Sequence, residues 1–206
     1  MPNWCTTDIK IVCKKEEYAK DIYDTLCLWN DTEIPGHSDV DKNWLGKFLI
    51  HAGLTTYEEI NTSGYSCRGT IECIDHLGCE VTFSAETAWS PSMCMWLDIF
   101  EKCWPDKVEE ILYVADEPGC RLHLTNNPEY ETAYYAYCVP NDECEFDLMY
   151  ERYDKEELRA ELMGFFAEKG IAIDNDDLGS LRDELFYFGV ELYTDEYEYA
   201  DVSDLN

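Results

Sequence analysis

Thr6-Thr7-Asp8-Ile9-Lys10-Ile11-Val12-Cys13-Lys14, followed by Lys15 to Asn30, is the stretch on which the reading of this chain turns. In its first part Ile9, Ile11 and Cys13 take every second position, the period of a half-buried strand. In its second part Tyr18, Ile22, Leu26 and Trp29 recur at spacings of four, four and three, which lines them along one side of an amphipathic helix. A strand followed by a helix that packs back on the sheet is therefore expected at the start.

Working outward, residues 31 to 41 contain Pro35-Gly36 and read as a loop, and Trp44 to Leu54 as a short helical insertion. Ser66 to Asp75 and Glu80 to Trp89 form a hairpin turning near His76-Leu77-Gly78. A helix over 92 to 104 carries Trp96, Leu97, Phe100 and Trp104 and stops at Pro105, with Ser90 placed to cap it and Pro91 in its first turn. Val108 to Ala115 and Cys120 to Asn126 are strands flanking Asp116-Glu117-Pro118-Gly119, where Pro-Gly suits the centre of a type II turn. The order β-α-(insert)-β-β-α-β-β predicts an α+β protein. Its first part is expected to be a ferredoxin-like split βαβ antiparallel sheet with helices on one face.

That domain is expected over 1–126, with the helical insertion near 31–62, and an acidic, Tyr-rich α/β extension over 127–206 docked on it. Tyr134-Tyr135-Ala136-Tyr137 opens the extension, and Cys144 to Tyr150 is a strand candidate. A helix follows over 155 to 169, with Asp154 and Glu157 in a capping pattern and Gly170 as its stop. A second helix over 177 to 188 sets Leu178, Leu181, Leu185 and Phe188 on one face, and Tyr193, Tyr197 and Tyr199 are interleaved with acids beyond it.

The chain has 206 residues, 45 Asp and Glu against 15 Lys and Arg, and a formal charge of -30. With 46% hydrophobic and 14% aromatic residues it has enough apolar surface to fold despite that charge. Residues 127–206 hold 23 acids and 5 bases, a net -18, and the first 126 hold 22 and 10, a net -12. Such a field repels nucleic acid and acidic membrane and favours basic partners. No apolar run suits a membrane span, and the opening Met1-Pro2-Asn3-Trp4-Cys5 lacks the features of a signal peptide. Eleven scattered cysteines, an odd number, read as reduced thiols of a cytoplasmic protein, most of them in the core.

Chemical motifs are sparse. Cys73 and Cys79, like Cys138 and Cys144, have five residues between them, too loose for a zinc site, and the hairpin places the first pair at facing strand ends. Asp174-Asn175-Asp176-Asp177-Leu178-Gly179 starts like a calcium loop, but Leu178 and Leu185 stand at ligand positions, so it reads as a solvated helix start. His37, His51, His76 and His123 are isolated, and no phosphate loop, nucleophile elbow or paired-histidine motif occurs. No metal, cofactor or catalytic residue is expected. Trp4 and Trp89 lie at a chain start and a strand-to-helix junction, where a tryptophan is either buried or used for recognition; burial is the expectation.

Met1-Pro2-Asn3-Trp4-Cys5, Thr87-Ala88-Trp89-Ser90-Pro91 and Glu117-Pro118-Gly119, in that order, resemble the YubB family over about residues 1 to 126. The chain departs from the family pattern at Arg68-Gly69-Thr70, where relatives often have a Trp-Gly-Thr-like strand, and after Gly119. The resemblance implies a ferredoxin-like domain found on phages, plasmids and other mobile elements, and implies no activity. Two binding functions follow as expectations, and an enzyme is a third possibility for which the sequence shows no catalytic nucleus. One is a non-enzymatic protein whose carboxylates imitate a phosphate track and bind a basic host protein, with Tyr193, Tyr197 and Tyr199 as aromatic anchors. The other is a small-molecule or peptide-binding module at Asn3, Trp4, Trp89, Ser90 and Glu117.

Overall fold

The structure, a computed structural model, describes residues 3–37, 43–130, 133–139, 151–173, 175–202 and 205. The strand candidate Cys144 to Tyr150 lies outside the described residues, as do Met1, Pro2 and Asp174. The chain is mixed α+β and divides into two compact units. One comprises 1–127 together with 199–206, and the other 128–198. The last residues thus belong with the first unit rather than with the acidic extension.

The alternation at Ile9, Ile11 and Cys13 becomes β1, Trp4–Cys13, in which every odd residue from Cys5 is buried. Next comes α1, Glu16–Asp31, which buries Ala19, Ile22 and Leu26 and carries Glu16 and Glu17 at the positive end of its dipole. Full burial of a side chain such as Ile22 or Leu26 stabilises by about 1.5–3 kcal/mol. The segment between α1 and the next strand holds a short helix, α2 (Gly46–His51), and a 3-10 turn at Ile60–Thr62.

A hairpin follows, β2 (Gly69–Leu77) and β3 (Glu80–Ala88). Its turn lies at Gly78-Cys79, so Cys73 and Cys79 are not facing strand ends: Cys79 is in the turn, and Cys73 sits at a bulge with φ 51°. The bulge takes up the extra residues that carry β2 on to Leu77, beyond the expected end. Helix α3, Met93–Cys103, buries Met93, Met95, Trp96, Ile99 and Phe100. Ser90 does not cap it. Ser92 takes the cap position without a capping bond and donates its hydroxyl to the Ser66 carbonyl at 2.7 Å, while the Ser90 carbonyl accepts from Thr87 Oγ1 at 2.7 Å.

The strands β4 (Val108–Glu117) and β5 (Leu122–Thr125) complete this run. Their turn differs from the expected type II turn. It spans Pro118 to Arg121, with the Arg121 N–H donating to the Pro118 carbonyl at 3.2 Å, and the positive φ is 55° at Arg121 rather than at Gly119. The sheet order is β2-β3-β1-β4-β5-β9, with β9 the short strand Glu198–Tyr199, and every pairing among β1 to β5 is antiparallel. Odd residues of β1, β3 and β4 form one apolar cluster with the buried sides of α1, α2 and α3, sealed by Phe83 against Trp96 at 4.6 Å. No described helix is long and apolar enough to cross a membrane.

The second unit has a three-stranded antiparallel sheet ordered β7-β6-β8, from β6 (Tyr134–Val139), β7 (Glu151–Tyr153) and β8 (Glu191–Glu196). Helices α4 (Lys155–Glu168) and α5 (Leu178–Tyr187) pack on it through Leu158, Leu162, Phe166, Leu181 and Leu185. The Asp154 carboxylate accepts the N–H groups of Glu156 and Glu157, both at 2.8 Å, and Glu157 reaches back to the Asp154 N–H. Phe188, expected on the apolar face of α5, is 41% exposed because the helix ends one residue before it.

Candidate functional site

Antiparallel pairing decides where the chemistry-bearing segments meet. Because β1 runs against both β3 and β4, its start lies beside the ends of both: Trp4 pairs with Ala88, and Thr6 with Asp116. Residues 3 to 5, 87 to 91 and 117 to 119 therefore converge at one end of the sheet, and Asn3, Trp4, Trp89, Ser90 and Glu117 come together there.

Each position has a local cause. The Trp89 N–H donates to the Asn3 carbonyl at 2.9 Å, closing β3 on the first described residue. Trp89 adopts φ 75°, a region uncommon for a residue with a side chain, and the chain turns there toward α3. The expected burial of both tryptophans is not met: Trp4 is 47% and Trp89 52% exposed. Trp4 occupies an even position of β1, on the face opposite the helices, and Trp89 falls beyond the last ladder pair of β3.

Glu117 is buried at the end of β4, and its carboxylate accepts the N–H of Gly119 at 3.1 Å and of Cys120 at 2.6 Å. Satisfying two turn donors with one anion is what allows a carboxylate to be buried there. A Cβ at Gly119 would come to 2.5 Å from Asn3 Nδ2 and 2.9 Å from Glu117 Oε1, so a larger residue there requires these side chains to shift. Asn3 Nδ2 also donates to Cys120 Sγ at 3.5 Å. The Cys120 thiol is pushed above its ordinary value chiefly by its bond to Glu117. Nearby, burial pushes Cys5 up to about 11, with Asp116 and Glu117 adding to the effect. Both are held as thiols, so neither is an activated nucleophile. The end of the sheet combines a hydrogen-bonded polar turn with two indoles that are each about half exposed.

The C-terminal tyrosines have different fates. Tyr193 is 39% exposed, stacks on its cross-strand neighbour Tyr137 at 4.9 Å and donates its hydroxyl to Glu191. Tyr197 is buried, which removes it as an anchor. Tyr199 is 65% exposed and belongs to the first unit. Phe186 and Tyr187, absent from the expected set, are 66% and 82% exposed; the helical spacing of α5, which buries Leu181 and Leu185, already turns them away from its apolar side. His123 is buried with Nδ1 2.8 Å from Asp116 Oδ1 across the β4–β5 ladder, and alternation along β5 accounts for its placement. Cys120, also unanticipated, is recognisable only from the fold of the turn, whereas Gly119 belongs to the Glu117-Pro118-Gly119 motif. Among the described residues no group of three or more His, Cys, Asp or Glu could hold a metal ion.

Comparison of the chain with protein-family models, with curated proteins and with solved structures finds no match in any of the three.

Proposed function

We propose that this chain is a non-enzymatic interaction protein that binds a basic partner protein, using the end of the sheet at Trp4 and Trp89 as its aromatic anchor. The observation that carries the reading is the exposure of the two indoles, 47% and 52%, on residues at the adjoining ends of β1 and β3. Two large rings left in water contribute little to folding, and desolvated tryptophan is a frequent hot spot of protein interfaces. The charge of -30 selects the sign of the partner.

The proposal includes a ferredoxin-like arrangement of the first unit, supported by the sheet order β2-β3-β1-β4 with helices α1 and α3 as connections. It includes kinship with the YubB family of mobile elements, supported by the meeting of the three motif segments at one place. A cytoplasmic setting belongs to it as well, on the odd number and scattered spacing of the cysteines. A small-molecule or peptide-binding module at Asn3, Trp4, Trp89, Ser90 and Glu117 is the alternative reading of the same place.

Capture from a cell extract at low and high salt tests the proposal, with the wild-type chain and a Trp4→Ala/Trp89→Ala variant as baits. Basic proteins retained only at low salt, and lost with the variant, are the expected result. Retention that ignores both salt and the two rings would refute it.

A further inference from the structure

We infer that the first unit carries a second recognition site, a cleft at the C-terminal end of α3 that takes a lysine or arginine side chain from a basic segment of a partner protein. The inference rests on the reading of the chain as a binder of basic proteins and assigns that reading a specific receptor.

The cleft encloses about 390 Å³ between the last turns of α3, the start of β4 and the returning C-terminal residues. Its floor is apolar. Phe100, Trp104 and Val202 are buried beneath it, with the rings of Phe100 and Trp104 5.6 Å apart. Its rim is acidic: Glu101, Glu109, Glu110 and Asp201 border it, and no lysine, arginine or histidine does among the described residues. Glu101, Glu109 and Glu110 have no ion-pair partner among the described residues either. Tyr199 adds a ring that is 65% exposed.

The chemistry of the occupant follows from these two layers. An anion is repelled by four carboxylates, and a neutral apolar ligand would desolvate them without compensation. A lysine or arginine side chain satisfies both layers, since its methylene stem lies on apolar surface while its charged head stays at the polar rim. An aromatic ring beside the cation adds attraction. The helix end adds more, because the cleft meets the C-terminal turn of α3, whose carbonyls carry the negative end of the dipole. The -30 charge brings basic chains to the surface in general, and the cleft gives one of their side chains a place to be held.

The test uses the full chain labelled with ¹⁵N and, as probe, a decapeptide of alternating lysine and alanine, with a glutamate–alanine decapeptide and spermidine as comparators. The lysine peptide is expected to shift the amide resonances of Glu101 to Trp104, Val108 to Ile111 and Tyr199 to Val202. A Glu109→Gln/Glu110→Gln variant is expected to bind it about tenfold more weakly. A Glu16→Gln/Glu17→Gln variant, which removes the same charge from α1, should change binding far less, and the spectrum of each variant reports directly whether it is folded. Equal weakening by both variants, or shifts spread evenly over the acidic surface, would overturn the cleft. Tighter binding of spermidine than of the peptide would also overturn it, by making the occupant a small polyamine. Shifts confined to Trp4 and Trp89 would remove the cleft and leave the proposed function standing, whereas no response to the lysine peptide anywhere would remove both.

Discussion

The backbone N–H of Trp89 donates to the carbonyl of Asn3 across 2.9 Å, and Trp89 makes this bond with φ at 75°. A side-chain-bearing residue in that region stores roughly 1–3 kcal/mol of strain. The ring gains little in return, since half of it stays in solvent. The strain is accounted for if the ring serves a partner rather than the fold.

Trp89→Gly is therefore expected to leave folding stability unchanged or to raise it, because glycine enters positive φ without penalty, while capture of basic partners falls. Trp96→Ala, which empties a site 1% exposed, is expected to cost about 3–5 kcal/mol. Urea unfolding of both variants, with capture measured in parallel, checks the separation; a large stability loss in Trp89→Gly would assign that ring to the core instead.

Two glycines should differ in how their substitution can be relieved. In Gly119→Ala the new Cβ meets two side chains, Asn3 at 2.5 Å and the Glu117 carboxylate at 2.9 Å, and Asn3 can move, so adding Asn3→Ala should restore part of the lost stability. In Gly69→Ala the Cβ would lie 2.0 Å from the Glu86 carbonyl oxygen, a backbone atom fixed by the β2–β3 ladder, so a larger loss is expected. Melting temperatures of the three variants test this, and a milder effect at Gly69 than at Gly119 would contradict it.

Alkylation with iodoacetamide near neutral pH should modify exposed Cys73 and Cys79 first and leave buried Cys5 and Cys13 intact. Cys120 is exposed too, yet its bond to Glu117 raises its pKa, so it should lag behind the other exposed thiols. Glu117→Gln is expected to speed the reaction at Cys120. Mass-spectrometric site occupancy over time provides the measurement, and a Cys120 rate indifferent to residue 117 would count against the coupling.

His51 gives stability a pH dependence. Burial in α2, where its ring stacks on Trp29 at 6.1 Å, pulls it below its ordinary value of 6.5. The unfolded chain thus takes up this proton at a higher pH than the folded one. The stabilisation is complete above 6.5 and is lost as pH falls through the lower, folded value. Urea midpoints taken between about pH 7.5 and 5.5 should fall less steeply in His51→Gln than in the wild type; parallel slopes would show that His51 titrates alike in both states.

Much of the fold could be read locally. The alternation in β1, the helical spacing in α1 and the capping pattern at Asp154 are properties of neighbouring residues, and each element lies within a few residues of where these place it. Local reading failed where a bond from a side chain to the backbone decided the matter. Ser92 gives its hydroxyl to Ser66 rather than to a helix cap, and the positive φ after Pro118 moved to Arg121 once Glu117 bound the turn amides.

The sequence by itself determined the acidity of this protein, the order of its first strands and helices, and the residues that carry its motifs, because these depend on composition and short-range periodicity. Tertiary structure alone decided that Asn3, Trp89 and Glu117 are neighbours, since antiparallel register sets the start of β1 beside the ends of β3 and β4. It also decided which aromatic rings face water: Tyr197 is buried and Tyr199 exposed, a choice made by where the chain rejoins the sheet beside β5 and invisible in a run of alternating acids and tyrosines.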